Sequence, residues 1–273
     1  MSAVMTRPRS WMTDANVSAL VSAMEEAADV AREVVTPLFR SDLNALSKGD
    51  GSPVTEADRR AELSMREVFE RRFPDYGLHG EEFGCDRPDA SLRWVIDPVD
   101  GTRAFITGRP VFGTLIALMD ENEPVIGLID QPITGERWIG VAGEATRFNQ
   151  KIKGQVGTRK CDDLANAEMS CTAPDMVPME PGSGWNRLAG SVRRVSWGGD
   201  CYAYGLMALG QIDVIAEGDL KIWDWAAVKP VVEGAGGLLV DWEGNPPGEK
   251  SGGRILALGD PSLLKAATDL LNT

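Results

Sequence analysis

The chain is poor in histidine, cysteine and positive charge. His79 is the only histidine among 273 residues, so chemistry built on a histidine pair lacks its second member, and any Ser-His-Asp triad would have to use this one side chain. Cys85, Cys161, Cys171 and Cys201 are far apart and form no C-x-x-C pair. That spacing suits reduced, partly buried thiols better than a disulfide framework or a zinc site. No run of roughly eighteen or more apolar residues occurs, and Met1 to Trp11 carries no long apolar stretch behind its basic residues. Neither a membrane-spanning helix nor a signal peptide is expected, which leaves a cytoplasmic protein as the default. Lys and Arg number 28 against 41 Asp and Glu, a formal net charge of −13. Nucleic acids and anionic membranes need clustered cations, so neither is expected as a partner. Such a chain also repels phosphorylated metabolites, and binding one would require something positive at the site, for which divalent cations held by carboxylates are the natural candidate. Gly234-Ala235-Gly236-Gly237 falls between a predicted helix and a predicted strand, the reverse of the dinucleotide-binding order, and reads as a turn.

With 43% hydrophobic and 25% charged residues, the chain can build a sizeable core. Val17, Leu20, Val21, Met24, Ala28, Ala31, Val34, Val35 and Leu38 recur at helical spacing behind Thr13-Asp14, predicting a long amphipathic helix kinked or ended near Pro37. The polar, Gly-rich stretch 47–53 predicts a loop able to act as a lid, followed by a helix from Glu56 to Phe73 stopped by Pro74. From Arg93 the texture becomes β-rich. Trp94-Val95-Ile96, Val111 to Met119, Val125 to Ile129 and Glu136 to Val141, joined by short connections, predict an antiparallel meander. Beyond 150 the pattern alternates: strand 168–171, helix 201–209, strand 212–216, helix 225–233, strands 238–241 and 255–258, helix 261–271. The expected architecture is an α/β layered sandwich with alternating helix and sheet layers, an N-terminal α+β half (residues 1–150) and a C-terminal α/β half (residues 151–273) sharing a cleft.

The densest chemistry lies in Trp94-Val95-Ile96-Asp97-Pro98-Val99-Asp100-Gly101-Thr102, an apolar strand ending in two carboxylates, a proline and a glycine. Asp97, Asp100 and the Val99 carbonyl can offer three oxygens to a hard cation such as Mg²⁺, and the Gly101-Thr102 N–H groups can receive a phosphate oxygen. An Asp-Pro turn whose carboxylates merely cap backbone groups is the plainer alternative. Two carboxylates at a buried strand end nevertheless repel unless a cation or proton is shared. Gly80-Glu81-Glu82, taken alone, reads as solvated surface. Asp224, between Trp223 and Trp225, is either an N-cap or a ligand held against an apolar wall. Thr55-Glu56-Ala57-Asp58 has the form of a capping box. An Asp-x-Asp phosphatase motif fails on spacing, since two residues separate Asp97 from Asp100.

Taken in order, Gly80-Glu81-Glu82, Asp97-Pro98-Val99-Asp100-Gly101-Thr102 and Trp223-Asp224-Trp225-Ala226-Ala227 resemble the inositol monophosphatase family of Mg²⁺-dependent, Li⁺-sensitive phosphatases. The resemblance runs from Val54-Thr55-Glu56-Ala57-Asp58 to Gly234-Ala235-Gly236-Gly237. It implies that Glu81, Asp97 and the Val99 carbonyl bind one metal ion, and that Asp97, Asp100 and Asp224 bind a second. Glu81 and Thr102 would position a water for in-line attack, with Asp58 beside a third, weaker metal site. Gly101 and Thr102 would hold the phosphate, Li⁺ would inhibit, and the protein would be a homodimer. Where the inositol-phosphate motif has asparagine, this chain has Ala104, within Asp100-Gly101-Thr102-Arg103-Ala104-Phe105. Gly198-Gly199-Asp200-Cys201-Tyr202-Ala203-Tyr204-Gly205, Glu217, Leu220-Lys221 and the stretch Gly127 to Gly140 look like the histidinol-phosphate phosphatase branch. Arg103, Gly199, Asp200, Glu217 and Asp224 are then the expected substrate contacts.

By this resemblance Asp200 replaces a small pocket residue, and its carboxylate would pair with a substrate cation. Capping the Cys201 helix is the competing role. The expected substrate is a small phosphorylated metabolite, L-histidinol phosphate ahead of inositol or another polyol monophosphate. A non-catalytic binding protein on the same fold would betray itself by a lost ligand, and every ligand position is filled.

Overall fold

The structure, a computed structural model, describes residues 11–41, 46–47, 53–54, 56–149, 153–248 and 251–273. Residues 48–52 of the stretch expected to form a lid lie outside these, as does Thr55 of the expected capping box. Helix α1 (Asp14–Leu38) starts at Thr13, whose side chain accepts the Asn16 N–H, and carries Pro37 within its last turn. Strands β1 (Leu46–Ser47) and β2 (Pro53–Val54) pair antiparallel ahead of α2 (Glu56–Arg72). The buried stripe of α1, including Leu20, Met24, Ala28 and Ala31, meets that of α2, including Ala57, Ala61, Met65 and Phe69. Alanines at the crossing let two helices pack closely while the larger side chains fill the space toward the sheet.

That sheet comprises β3 (Gly77–Gly80), β4 (Gly84–Asp86), β5 (Leu92–Asp100), β6 (Gly113–Asp120), β7 (Glu123–Gln131), β8 (Glu136–Val141) and β9 (Arg147–Asn149). Its order is β4-β3-β5-β6-β7-β8-β9; β5 to β8 form the predicted antiparallel meander, β9 extends it, and β3 joins β5 in parallel. A short helix, α3 (Thr102–Ile106), follows β5. The Trp94-Val95-Ile96 run is apolar throughout because β5 is covered on both faces. Trp94 and Ile96 pack toward α1 and α2, and Val95 packs into a second core on the opposite face.

A second, five-stranded sheet comprises β10 (Glu168–Cys171), β11 (Arg194–Trp197), β12 (Val214–Glu217), β13 (Leu238–Asp241) and β14 (Ile255–Leu258), ordered β11-β10-β12-β14-β13. The remaining helices are α4 (Gly184–Ser191), α5 (Asp200–Met207), α6 (Ile222–Trp225), α7 (Val228–Gly234) and α8 (Leu264–Asn272). Residues of α5 and α7 share a core with both sheets, whereas Trp185 and Leu188 of α4 and Ala267 and Leu271 of α8 pack on the far face of the smaller sheet. The result is the expected α/β layered sandwich: helices, seven strands, helices, five strands, helices.

Local differences from expectation have simple causes. The helix predicted over 225–233 is divided into α6 and α7, and the one over 261–271 begins as a 3₁₀ turn at Pro261–Leu263. Strand β12 starts two residues late, at Val214, although the Asp213 backbone already bonds to Glu168 and Gly259 and its side chain accepts the Glu168 N–H at 2.7 Å. Strands β4 and β9, at the two edges of the larger sheet, and β11, at one edge of the smaller, were not anticipated. They are short and largely exposed, so no apolar alternation marks them.

Helix α7 lies directly on the meander. A Cβ at Gly127 would fall on the Ala227 carbonyl oxygen, and one at Gly140 on the Pro230 carbonyl. These contacts fix the depth of α7 and, through it, the position of α6. Gly140→Ala should therefore lower the unfolding free energy by about 1–3 kcal/mol through overpacking, read as a lower denaturant midpoint at unchanged slope. Gly190→Ala, in α4 with open space at its Cβ, should leave the midpoint unchanged or raise it.

Candidate metal centre and active-site cleft

Strand β5 loses its register with β6 between Asp97 and Asp100, and this irregularity turns both carboxylates to one place. Asp97 Oδ1 accepts the Val99 N–H at 2.9 Å, and the Thr114 hydroxyl donates to the Pro98 carbonyl at 2.8 Å, locking the turn from below. Asp224 arrives from α6. One carboxylate oxygen from each of Asp97, Asp100 and Asp224 lies within 4.8 Å of the others. Asp224 is not the N-cap of its helix. It sits inside the first turn and reaches back so that Oδ2 accepts the Lys221 N–H at 2.6 Å, a bond that aims the carboxylate and satisfies a helix-end donor.

Glu81 follows β3, its N–H bonded to the Ile96 carbonyl, and its carboxyl adjoins that of Asp97. A residue that sequence reasoning missed sets this turn. Glu62, fully buried on α2, accepts the N–H groups of Glu82 at 2.8 Å and Phe83 at 3.1 Å and pairs with Arg66 at 2.8 Å. Its position in the polar middle of α2 gave no signal beyond its i,i+4 relation to Arg66. Asp58, buried in the first turn of α2, has Oδ1 3.1 Å from the Thr102 hydroxyl, which also lies 3.3 Å from the Val99 carbonyl oxygen. Asp58 thus reaches the end of β5.

Burial pushes the Asp97 carboxyl well above the ordinary range, reinforced by Glu81, Asp100 and Asp224. Asp100 is raised by burial and then by Asp224 and Asp200. Burial raises Asp224 to about 7 against the pull of the Lys221 N–H, with Glu81 and Glu217 adding repulsion. An all-oxygen cluster whose members repel one another is the donor set that a hard divalent cation satisfies.

Above the cluster opens a cavity of about 230 Å³. Glu81, Asp100, Gly101, Thr102, Arg103, Asp200, Glu217 and Asp224 line it, joined by Thr172, Met176 and Asp219, which the sequence reading did not single out. Thr172 follows directly on β10, and strand ends are where such residues are to be sought. Asp97 and Val99 are buried beneath the floor. Gly199 does not line the cavity: it is the N-cap residue of α5, and a Cβ there would meet Ala203 and Ser170. Arg103 is exposed at the mouth, paired with Asp175 at 2.9 Å. His79 packs edge-on against Trp223 at 5.3 Å, and burial lowers its pKa, followed by Arg93 and Arg66.

Asp200 does not cap α5. The first-turn N–H of Cys201 is taken by Asp100 Oδ2 at 2.7 Å, leaving Asp200 in a left-handed conformation with φ +43°. Its Oδ2 is buried without a hydrogen-bond partner. Burial raises the Asp200 carboxyl to about 6, helped by Glu217 and opposed by Arg109 and Arg103. Gly101, with φ +86°, is needed beneath it, because a Cβ there would lie 2.9 Å from Asp200 Cβ and Cγ. Glu217 has both oxygens engaged, by the Thr172 N–H at 2.7 Å and the Tyr204 hydroxyl at 2.8 Å.

Residues 16–271 match the profile of the inositol monophosphatase family. The chain is 41% identical to the bifunctional phosphatase IMPL2, chloroplastic, of Arabidopsis thaliana, over 86% of this chain and 68% of that protein. It is 37% identical to a histidinol-phosphatase of Chlorobaculum parvum, over 80% and 84% of the two chains. An inositol monophosphatase from Zymomonas mobilis superposes with a TM-score of 0.84 at 41% identity, covering 96% of this chain and all of that one.

The electrostatics fix a pH dependence. Asp224 titrates near 3.8 in the unfolded chain and about 7 in the folded one, so the folded state holds its proton longer. The site supports folding in acid and opposes it increasingly as pH rises through that window. A divalent cation bound by this cluster would replace protons there, so its stabilising effect should grow with pH. Thermal unfolding with and without the cation should show a larger upward shift at about pH 8 than at about pH 5; equal shifts would contradict the assignment of these carboxylates.

Proposed function

The chain belongs to the inositol monophosphatase family and is a phosphatase, and we propose that it hydrolyses L-histidinol phosphate to L-histidinol and phosphate in a Mg²⁺-dependent reaction. Glu81, Asp97, Asp100, Asp224 and the Val99 carbonyl would hold the ions, with Asp58 beside a further one. The oxygen-only donors, with no lysine or arginine among them, fit Mg²⁺. When bound, Mg²⁺ supplies Lewis acidity toward the phosphoryl oxygens and the means of lowering the pKa of water.

The protein's own groups do the rest. Glu81, beside Asp97 at the cavity wall, accepts hydrogen bonds from the attacking water and orients it. The Thr102 hydroxyl, held between Asp58 and Val99, provides the second orienting contact. Gly101 lets the phosphate approach the backbone closely. Arg103 at the mouth attracts the anionic substrate, offsetting part of the repulsion from a chain of net charge −13.

The observation that carries the substrate assignment is the Asp200 carboxylate. It lines the cavity, is 7% exposed, and has an oxygen with no partner. A buried, unpaired carboxylate is costly, and a substrate carrying an ammonium and an imidazole relieves that cost. Similarity to the C. parvum histidinol-phosphatase supports this reading. The second reading, a polyol monophosphate, is favoured by the 41% identity to the Z. mobilis inositol monophosphatase, against 37% to the C. parvum histidinol-phosphatase. Ala104, fully buried where the inositol-phosphate motif has asparagine, counts against it.

Phosphate release from L-histidinol phosphate and inositol 1-phosphate, assayed side by side with Mg²⁺ and with EDTA, decides between them. Histidinol phosphate should be preferred, and EDTA should abolish turnover. Asp200→Ala should raise KM for histidinol phosphate roughly 10- to 100-fold, the loss of a charge-assisted pair, with little effect on inositol phosphate. Equal effects on both substrates would remove Asp200 from recognition. Asp97→Asn and Asp224→Asn should each abolish turnover while circular dichroism shows the fold intact, and unchanged rates would refute the metal ligands.

A further inference from the structure

Glu217 ends β12 at the cavity wall and is 3% exposed. Packing limits the rotamers of a carboxylate so buried, and hydrogen-bond donors set the direction of its oxygens. Two do: the Thr172 N–H at the end of β10 holds Oε1, and the Tyr204 hydroxyl on α5 holds Oε2. The first is backbone and belongs to the sheet. The second is a side-chain device, the Tyr204 hydroxyl donating to Glu217 from α5. The Tyr204 ring is 2% exposed and packs in the core shared by the two sheets. A phenylalanine would fill that space equally well, so packing does not call for the oxygen.

Tyr204 also stands four residues after Asp200, on the same face of α5. One helix therefore carries both the unpaired carboxylate that faces the cavity and the donor that immobilises its neighbour. The two tyrosines of this helix are not equivalent: the Tyr202 hydroxyl donates to Glu136 at 2.7 Å, on a residue outside the cavity lining.

We propose that Tyr204 is a positioning residue for substrate binding: its hydroxyl pins the Glu217 carboxylate so that Glu217 and Asp200 meet the leaving-group end of the substrate as a preset pair. The inference rests on the assignment of Glu217 as a substrate-binding residue. Without the hydroxyl, Glu217 keeps its Thr172 bond but can swing about it, and fixing it again falls to the substrate. The cost is then expected in binding and not in the chemical step, because Tyr204 and Glu217 are not among the residues assigned to the metal ions, the attacking water or the phosphate.

The test is a double-mutant cycle on the Mg²⁺-loaded enzyme with Tyr204→Phe, Glu217→Gln and the double variant, with Tyr202→Phe as a control. Each is assayed on histidinol phosphate and on inositol 1-phosphate. For the preferred substrate, Tyr204→Phe should raise KM roughly three- to tenfold with kcat within about twofold, and should add almost nothing in the Glu217→Gln background. Tyr202→Phe should leave KM unchanged. Full additivity of the two substitutions, an unchanged KM in Tyr204→Phe, or a fall in kcat alone would each overturn the proposal. A preference for inositol phosphate would refute the histidinol assignment only, since the cycle run on that substrate still reads the coupling between Tyr204 and Glu217.

Discussion

The repulsion among buried carboxylates at the end of β5 is the constraint around which the molecule is arranged. Asp97, Asp100 and Asp224 crowd one oxygen each into a space less than 5 Å across, with Glu81 against Asp97. Left alone, like charges in a poorly solvated site would push the chain ends apart. The fold opposes this with backbone donors from several elements: Val99 for Asp97, Cys201 for Asp100 and Lys221 for Asp224. Each bond settles the direction of a carboxylate. The site is thus held open by hydrogen bonds that belong to the ends of a strand and of two helices.

The layered architecture explains how residues so far apart in sequence reach one cleft. Helix α7 rests on Gly127 and Gly140, which sets where α6 presents Asp224. Helix α5 lies between the two sheets and meets β5 through the Asp100 to Cys201 bond. Asp200 can lie over Gly101 only because neither its own φ nor the missing Cβ beneath it is ordinary. Backbone strain of this kind, at a residue with an unsatisfied carboxylate, is characteristic of functional positions. Glu62 supports Glu81 from the opposite side by fixing the turn after β3. Helix α5 thus both orients a cluster carboxylate, through the Cys201 N–H to Asp100, and carries the Asp200 carboxylate that lines the cavity.

Much of this was legible in the sequence, for physical reasons that differ by element. Helices α1 and α2 announced themselves because each buries a periodic face, and the meander strands because they are runs buried on both faces. The apolar run closed by Asp97-Pro98-Val99-Asp100 pointed to the cluster because a strand buried on both faces does not end in carboxylates without use for them. The short edge strands β4, β9 and β11 were not legible, since an edge exposed to water needs no pattern. Glu62 looked like any helix-surface glutamate paired with an arginine four residues on.

What the sequence by itself determined is the layered α/β fold, the phosphatase family and the inventory of carboxylates. These follow from periodicity and from motifs whose parts are close along the chain. Tertiary structure alone decided what each carboxylate does. Asp200 could have capped its helix, but Asp100, a hundred residues earlier, took that N–H. Asp224 could have been an N-cap, yet it lies within the first turn and folds back on Lys221. Gly199 adjoins Asp200 in sequence and still faces away from the cavity. Hydrogen-bond donors are contested among groups distant along the chain, and which acceptor wins depends on how the layers stack.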